Sequence, residues 1–126
     1  MISMQREELF QRYQQGERDF AGSNLSGEDL CNAKIQGINL AGADLNGANL
    51  RQVDLGNANL QNVHLQYADL SGACLCGADL EGANLTGAIL RGTKVQNTNL
   101  RDAQLGRIKR DLYEYLSGAS GKNGVE

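Results

Sequence analysis

The chain has 126 residues with 12 Lys and Arg against 15 Asp and Glu, which leaves room for one domain and excludes the dense basic surface of a protein that grips phosphate backbones. One histidine, no tryptophan and no proline leave little catalytic vocabulary. Three cysteines do not fit the even framework of a small disulfide-bonded secreted domain, so reduced thiols in a cytoplasmic compartment are expected.

The N-terminal stretch MISMQREELF lacks the apolar segment of a secretory signal, and apolar runs inside the central region, such as Ala88-Ile89-Leu90, do not exceed four residues. That is far short of a membrane span, so a soluble, unexported chain is expected. Residues 1–17 read as an N-terminal cap. The spacing predicts a helix over 3–15, with Ser3 as N-cap, Leu9, Phe10 and Tyr13 on its apolar side and Gly16 as its stop.

Beyond that cap a period of five takes over. Every fifth residue is apolar: Phe20, Leu25, Leu30, Ile35, Leu40, Leu45, Leu50, Leu55, Leu60, Leu65, Leu70, Leu75, Leu80, Leu85, Leu90, Val95, Leu100 and Leu105. Two places before these centres the residue is usually small, with Ala in 10 of the 18 units, as at Ala43 and Ala58. Immediately before the centre, 12 of 18 units carry Asp or Asn, and two places after it 14 of 18 carry Gly or Asn. A helix repeats its buried face every 3.6 residues and a strand every 2, so neither alone accommodates the pattern. A short extended arm, with the small residue and the centre facing in, followed by a corner at Gly or Asn, does. Such arms coil into a solenoid whose successive turns bury one another's apolar residues.

Stretches such as Ala43-Asp44-Leu45-Asn46-Gly47 and Ala78-Asp79-Leu80-Glu81-Gly82 resemble the A-[D/N]-L-x-x pattern of the pentapeptide-repeat family, over residues 18–107. The resemblance implies an all-β solenoid, a right-handed quadrilateral β-helix with four units per coil and about 4.5 coils. At twenty residues per coil, Val63 stacks between Ala43 and Ala83, and Val53 between Ala33 and Ala73, large beside small. Arg18, Ser23 and Glu28 occupy the small inward position of the first units. A loose, partly open first coil is therefore expected, with Glu28 the clearest misfit.

Residues 108–117 read as a C-terminal capping helix, with Ile108, Leu112, Tyr115 and Leu116 in one stripe and Tyr113 off it; 118–126 reads as a disordered, Gly-rich tail. Both helices would cover solenoid ends that otherwise present unpaired edges. A monomer is expected in dilute solution, with at most weak pairing through the C-terminal helix.

Three groups of residues invite a chemical reading. His64 lies before Leu65, with Asp44 and Asn84 as stacked neighbours, but no nucleophile or second ligand accompanies it, so it reads as a surface residue. Cys74 and Cys76 flank Leu75 on one arm, closer than the C-x₂₋₄-C of zinc sites and without a second ligand pair. The run of Asp and Asn before the centres could suggest a calcium ladder, but short Asx side chains in turns bond to nearby backbone. No catalytic residue, metal or cofactor is assigned.

The family resemblance also raises a specific function, because some members bind DNA gyrase as DNA mimics. Duplex DNA carries a charge about every 1.7 Å, so a rod of 4.5 coils at about 4.8 Å each would need roughly 13 negative charges to imitate it. Residues 18–107 hold 7 Lys and Arg and 9 Asp and Glu. Divided by column, the Leu40 side carries −2, the Leu25 side 0, the Leu30 side −1 and the Ile35 side +1. Gyrase mimicry and direct nucleic-acid binding are therefore disfavoured, and an enzyme more so. The expectation is a non-catalytic binding or scaffold module for a protein partner that the sequence does not name.

Overall fold

The computed structural model describes residues 2–106. From Asp19 onward, residues that precede a centre bridge in parallel to residues twenty positions later, from Asp19 with Asn39 to Asn84 with Gln104. Four pentapeptides therefore make one coil, and the described chain is a four-sided stack of such coils with one helix at its N-terminal end. The all-β architecture takes a sparse form. Single bridging residues, one per arm, replace continuous strands, because a corner interrupts every arm.

The corners explain the fifth residue. Every residue two places after a centre, from Gly22 to Asp102, has φ between 58° and 73°. The next amide then donates to the carbonyl of the centre, as Ala43 does to Leu40 at 3.0 Å. A positive φ at the third position of a hydrogen-bonded turn is the feature that favours Gly and Asn there.

Within one unit all five amides find acceptors, which Asn39–Ala43 illustrates. Asn39 donates back to the carbonyl of Arg18, while Leu40 and Gly42 donate forward to Asn59 and Gln61, at 2.8 Å each. Ala43 closes the corner on Leu40. Only Ala41 lacks a backbone acceptor, and the Asn39 side chain takes its proton at 3.1 Å through Oδ1. Since an unpaired backbone amide is costly wherever water is excluded, the Asp or Asn that precedes the centre in twelve of the eighteen units completes its unit.

The interior is a closed apolar column. All eighteen centres are 3% exposed or less, and Val63 is buried with Ala43 and Ala83 in the adjoining inward row. In the last described coil Thr93 and Thr98 replace alanine there. Their hydroxyls are buried and donate to the carbonyls of Leu70 and Leu75 at 2.7 and 2.6 Å, so neither is left unsatisfied.

Helix α1 spans Arg6–Gln14, shorter than the 3–15 read from the sequence. Ser3 is not its N-cap: it lies in an extended segment that bridges to Asn24, with the Met4 amide on the Asn24 carbonyl at 2.8 Å. Gln5 holds the N-cap position without a side-chain cap, and the Arg6 amide is capped instead by Glu28 Oε1 at 3.0 Å. Gly16, at φ 99°, follows the helix as its stop.

The first coil is as regularly bridged as the others, contrary to the expected loosening, because its large polar residues hold the cap. Glu28 caps α1. Arg18 lies 3.6 Å from the centroid of the Tyr13 ring and donates to the Tyr13 and Glu17 carbonyls. In return the cap supplies donors to the edge carbonyls of the coil: Tyr13 Oη to Gln36 at 2.6 Å and Arg6 Nη1 to Asp29 at 3.4 Å. Leu9 is fully buried, and Met4, Phe10 and Tyr13 pack against the core. The helix and tail expected over 108–117 and 118–126 lie outside the described residues.

The buried column yields a direct comparison. Leu60→Lys should lose several kcal/mol, enough to unfold the chain. Gln61→Lys, in the half-buried next position where Gln61 bonds Asp79 Oδ2, should change stability by about 0.5 kcal/mol. Thermal unfolding followed by circular dichroism separates the two.

Candidate interaction faces

The acidic and amide side chains along the arms are occupied. All twelve Asp and Asn residues before a centre accept the amide two residues on through Oδ1, at 2.9–3.2 Å. Asn also donates across coils to Asp, as Asn39 to Asp19, Asn49 to Asp29 and Asn99 to Asp79. Among the described residues no group of three or more His, Cys, Asp or Glu could share a metal ion.

The Leu45–Leu65–Leu85 side has a different character from the other three. His64 is exposed and bridges Asp44 and Asn84 through its backbone. Because His64 cannot serve its own unit as an Asx residue would, the Gln66 amide is taken by Asn46 of the preceding coil at 2.9 Å. Asp44 is the one carboxylate among the outward residues described on this side.

Tyr67 dominates the same side. It is a corner residue at φ 63° and is 72% exposed. A bulky side chain in that backbone region is strained relative to glycine. The site is built to accept it: a Cβ on Gly87, one coil on, would meet the Tyr67 ring at 2.5 Å. Asn46, Gly47, Gln66, Tyr67, Asn84 and Thr86 line an open groove here of about 510 Å³. Gln66 Oε1, on its wall, is buried and has no hydrogen-bond partner among the described residues. The sequence held a signal for this site, since Tyr67 is the one aromatic at a corner and stands twenty residues before a glycine.

Cys74 and Cys76 sit half-buried on the Leu55–Leu75–Val95 side, flanking the buried Leu75, and both are free thiols. Cys76 Sγ donates to Gln96 Oε1 at 3.3 Å. Burial, together with the neighbouring Cys74 thiol, pushes the Cys76 thiol up. The Leu30–Leu50–Leu70 side carries mixed charge, including an Arg51–Asp69 pair at 3.9 Å. At the N-terminal end, Phe10, Tyr13, Gln14, Arg18, Ala33, Lys34 and Ile35 line a further groove where α1 meets the first coil.

A twenty-residue coil with one buried centre per five residues is matched by a family model, that of pentapeptide repeats, in eight copies over residues 19–52, 43–82 and 64–102. The chain belongs to the pentapeptide-repeat family. Among solved structures, the pentapeptide repeat protein alr5209 from Nostoc PCC 7120 is 31% identical with a TM-score of 0.83, over 100% of this chain and 99% of that one. Rfr23, from the cyanobacterium Cyanothece 51142, is 26% identical with a TM-score of 0.64, over 95% and 92%. HetL, a pentapeptide repeat protein involved in heterocyst differentiation regulation in Nostoc sp. PCC 7120, is 36% identical with a TM-score of 0.50, over 81% of this chain and 45% of its own. The plasmid-mediated fluoroquinolone resistance protein QnrB1 is 22% identical with a TM-score of 0.64 and shares the fold. No curated protein sequence matches significantly. Pentapeptide-repeat relatives of this kind form right-handed quadrilateral β-helices.

Proposed function

We propose that the protein is a non-catalytic binding module: a right-handed quadrilateral β-helix that works as a monomer in a reducing, cytoplasmic compartment and takes up a protein partner on the face of Tyr67. The observation that carries this reading is Tyr67 itself, a large aromatic held out to solvent in a backbone conformation that glycine adopts without strain. Tyrosine is enriched at interface hot spots, where a rigid ring contributes contact area at low entropic cost. The face around it is nearly free of charge and lined by Asn46, Gln66, Asn84 and Thr86, and depletion of charge is what marks the centre of an interface. Gln66 Oε1 adds an acceptor that a partner's amide could satisfy once the side chain turns outward.

The gyrase-mimic reading has a specific basis in the fold shared with QnrB1. The charges argue against it. Arg51 is paired with Asp69, Asn residues bond the carboxylates of Asp19, Asp29 and Asp79, and no side presents a continuous acidic track. Supercoiling assays should therefore show no gyrase inhibition at micromolar protein and no relief of quinolone poisoning; inhibition below micromolar would reverse this judgement.

Tyr67→Gly separates binding from folding. It should stabilise the chain by about 1 kcal/mol by relieving the left-handed strain, seen as a raised melting temperature, and should abolish recovery of the partner from lysate of the source cell. A variant that keeps the partner would remove this face from consideration.

A further inference from the structure

The Cys74–Cys76 pair is a feature that neither the fold nor the Tyr67 face uses. Both flank the buried centre Leu75 on the outer surface of one unit, Cys74 in the arm and Cys76 at the first residue of the corner, and their thiols are neighbours. Cys74 occupies a place where a different residue type would serve the coil better. Asp or Asn at position 74 would accept the amide of residue 76, as twelve other units do, and cysteine gives that up.

The neighbours define what such a pair can hold. One coil earlier, Asp54 accepts the Gly56 amide through Oδ1 at 3.0 Å and the Gln36 amide through Oδ2 at 2.5 Å, so both oxygens are engaged. One coil later, Lys94 bridges to Cys74, and Gln96 Oε1 accepts the Cys76 thiol. The remaining cysteine, Cys31, stands on the Leu30–Leu50–Leu70 side and supplies no third sulfur. Two sulfurs, with no group of three or more ligating residues among the described ones, do not make a zinc site, which needs four donors. They do suit a soft d¹⁰ cation, which thiolates select and which is content with two ligands.

We propose that Cys74 and Cys76 form a two-coordinate site for a soft monovalent cation of the copper(I) class. On binding, each thiol releases its proton to solvent and each sulfur donates a lone pair to the metal, with no change of oxidation state. The resulting bis(thiolate) complex carries one negative charge, which the ammonium of Lys94 offsets. Gln96, relieved of its thiol donor, remains beside the Cys76 sulfur. Uptake weakens as pH falls, because each metal bound displaces two protons.

The test is an anaerobic titration of the reduced full-length chain with copper(I) held by bathocuproine disulfonate as the competing ligand. One copper per chain is expected, with the mass in sedimentation remaining that of a single chain. Cys74→Ser and Cys76→Ser should each weaken binding by at least about 100-fold, since the second sulfur of a preorganised pair acts at high effective concentration. Lys94→Glu should weaken it about 10-fold as a supporting charge, and Cys31→Ser should leave it unchanged. Thermal melts of the serine variants, which alter only outward positions, should match the parent and exclude misfolding as the cause. The proposal is overturned if either serine variant binds as the parent does, if Cys31→Ser loses the ion, or if copper joins two chains.

Discussion

One amide in five governs this molecule. In a coil of pentapeptides the arms stack and the corners close, so four amides per unit find backbone acceptors in the coil itself, as Asn39–Ala43 shows. The fifth, just past each centre, points where no carbonyl waits. A short carboxylate or amide placed two residues earlier takes that proton, and the twelve units with Asp or Asn all do so. At each corner a residue at positive φ accompanies the return of the next amide onto the centre carbonyl. The apolar column stabilises the rod, but the backbone pairing dictates its period.

Six units, those of Lys34, His64, Cys74, Ile89, Lys94 and Gln104, forgo the Asx residue, and two of these departures fall at the sites proposed above. His64 departs, and Asn46 makes up the missing bond. Tyr67 departs and strains the corner, with Gly87 making room one coil on. Cys74 departs without any such compensation. The three lie on two sides of the rod, and the acidic and basic residues stay dispersed, which is the basis on which the proposed reading prefers a protein partner to imitation of a polyanion.

Much of the fold was legible in the sequence, because a coil of twenty makes each environment recur every five residues. The eighteen apolar centres, the Asx positions and the Gly or Asn corners each follow from one local rule repeated. The cap was only half legible. Leu9, Phe10, Tyr13 and Gly16 announced a helix, but its start depends on Glu28, twenty-two residues beyond Arg6, and on the Ser3 pairing with Asn24. Read locally, Glu28 looked like a defect; it is the helix cap. Tyr67 is only faintly legible for a similar reason, since its clearance over Gly87 depends on the stacking of coils.

The most direct measurement is site-resolved amide hydrogen exchange in the parent and in Asn59→Ala. Asn59 Oδ1 accepts the Gln61 amide at 3.1 Å, while the Leu60, Asn62 and Val63 amides bond to backbone carbonyls. The account predicts that Gln61 alone loses protection in the variant, its backbone-paired neighbours exchanging as slowly as before. Unchanged protection at Gln61, or equal loss at all four amides, would show that the Asx side chain does not complete the unit.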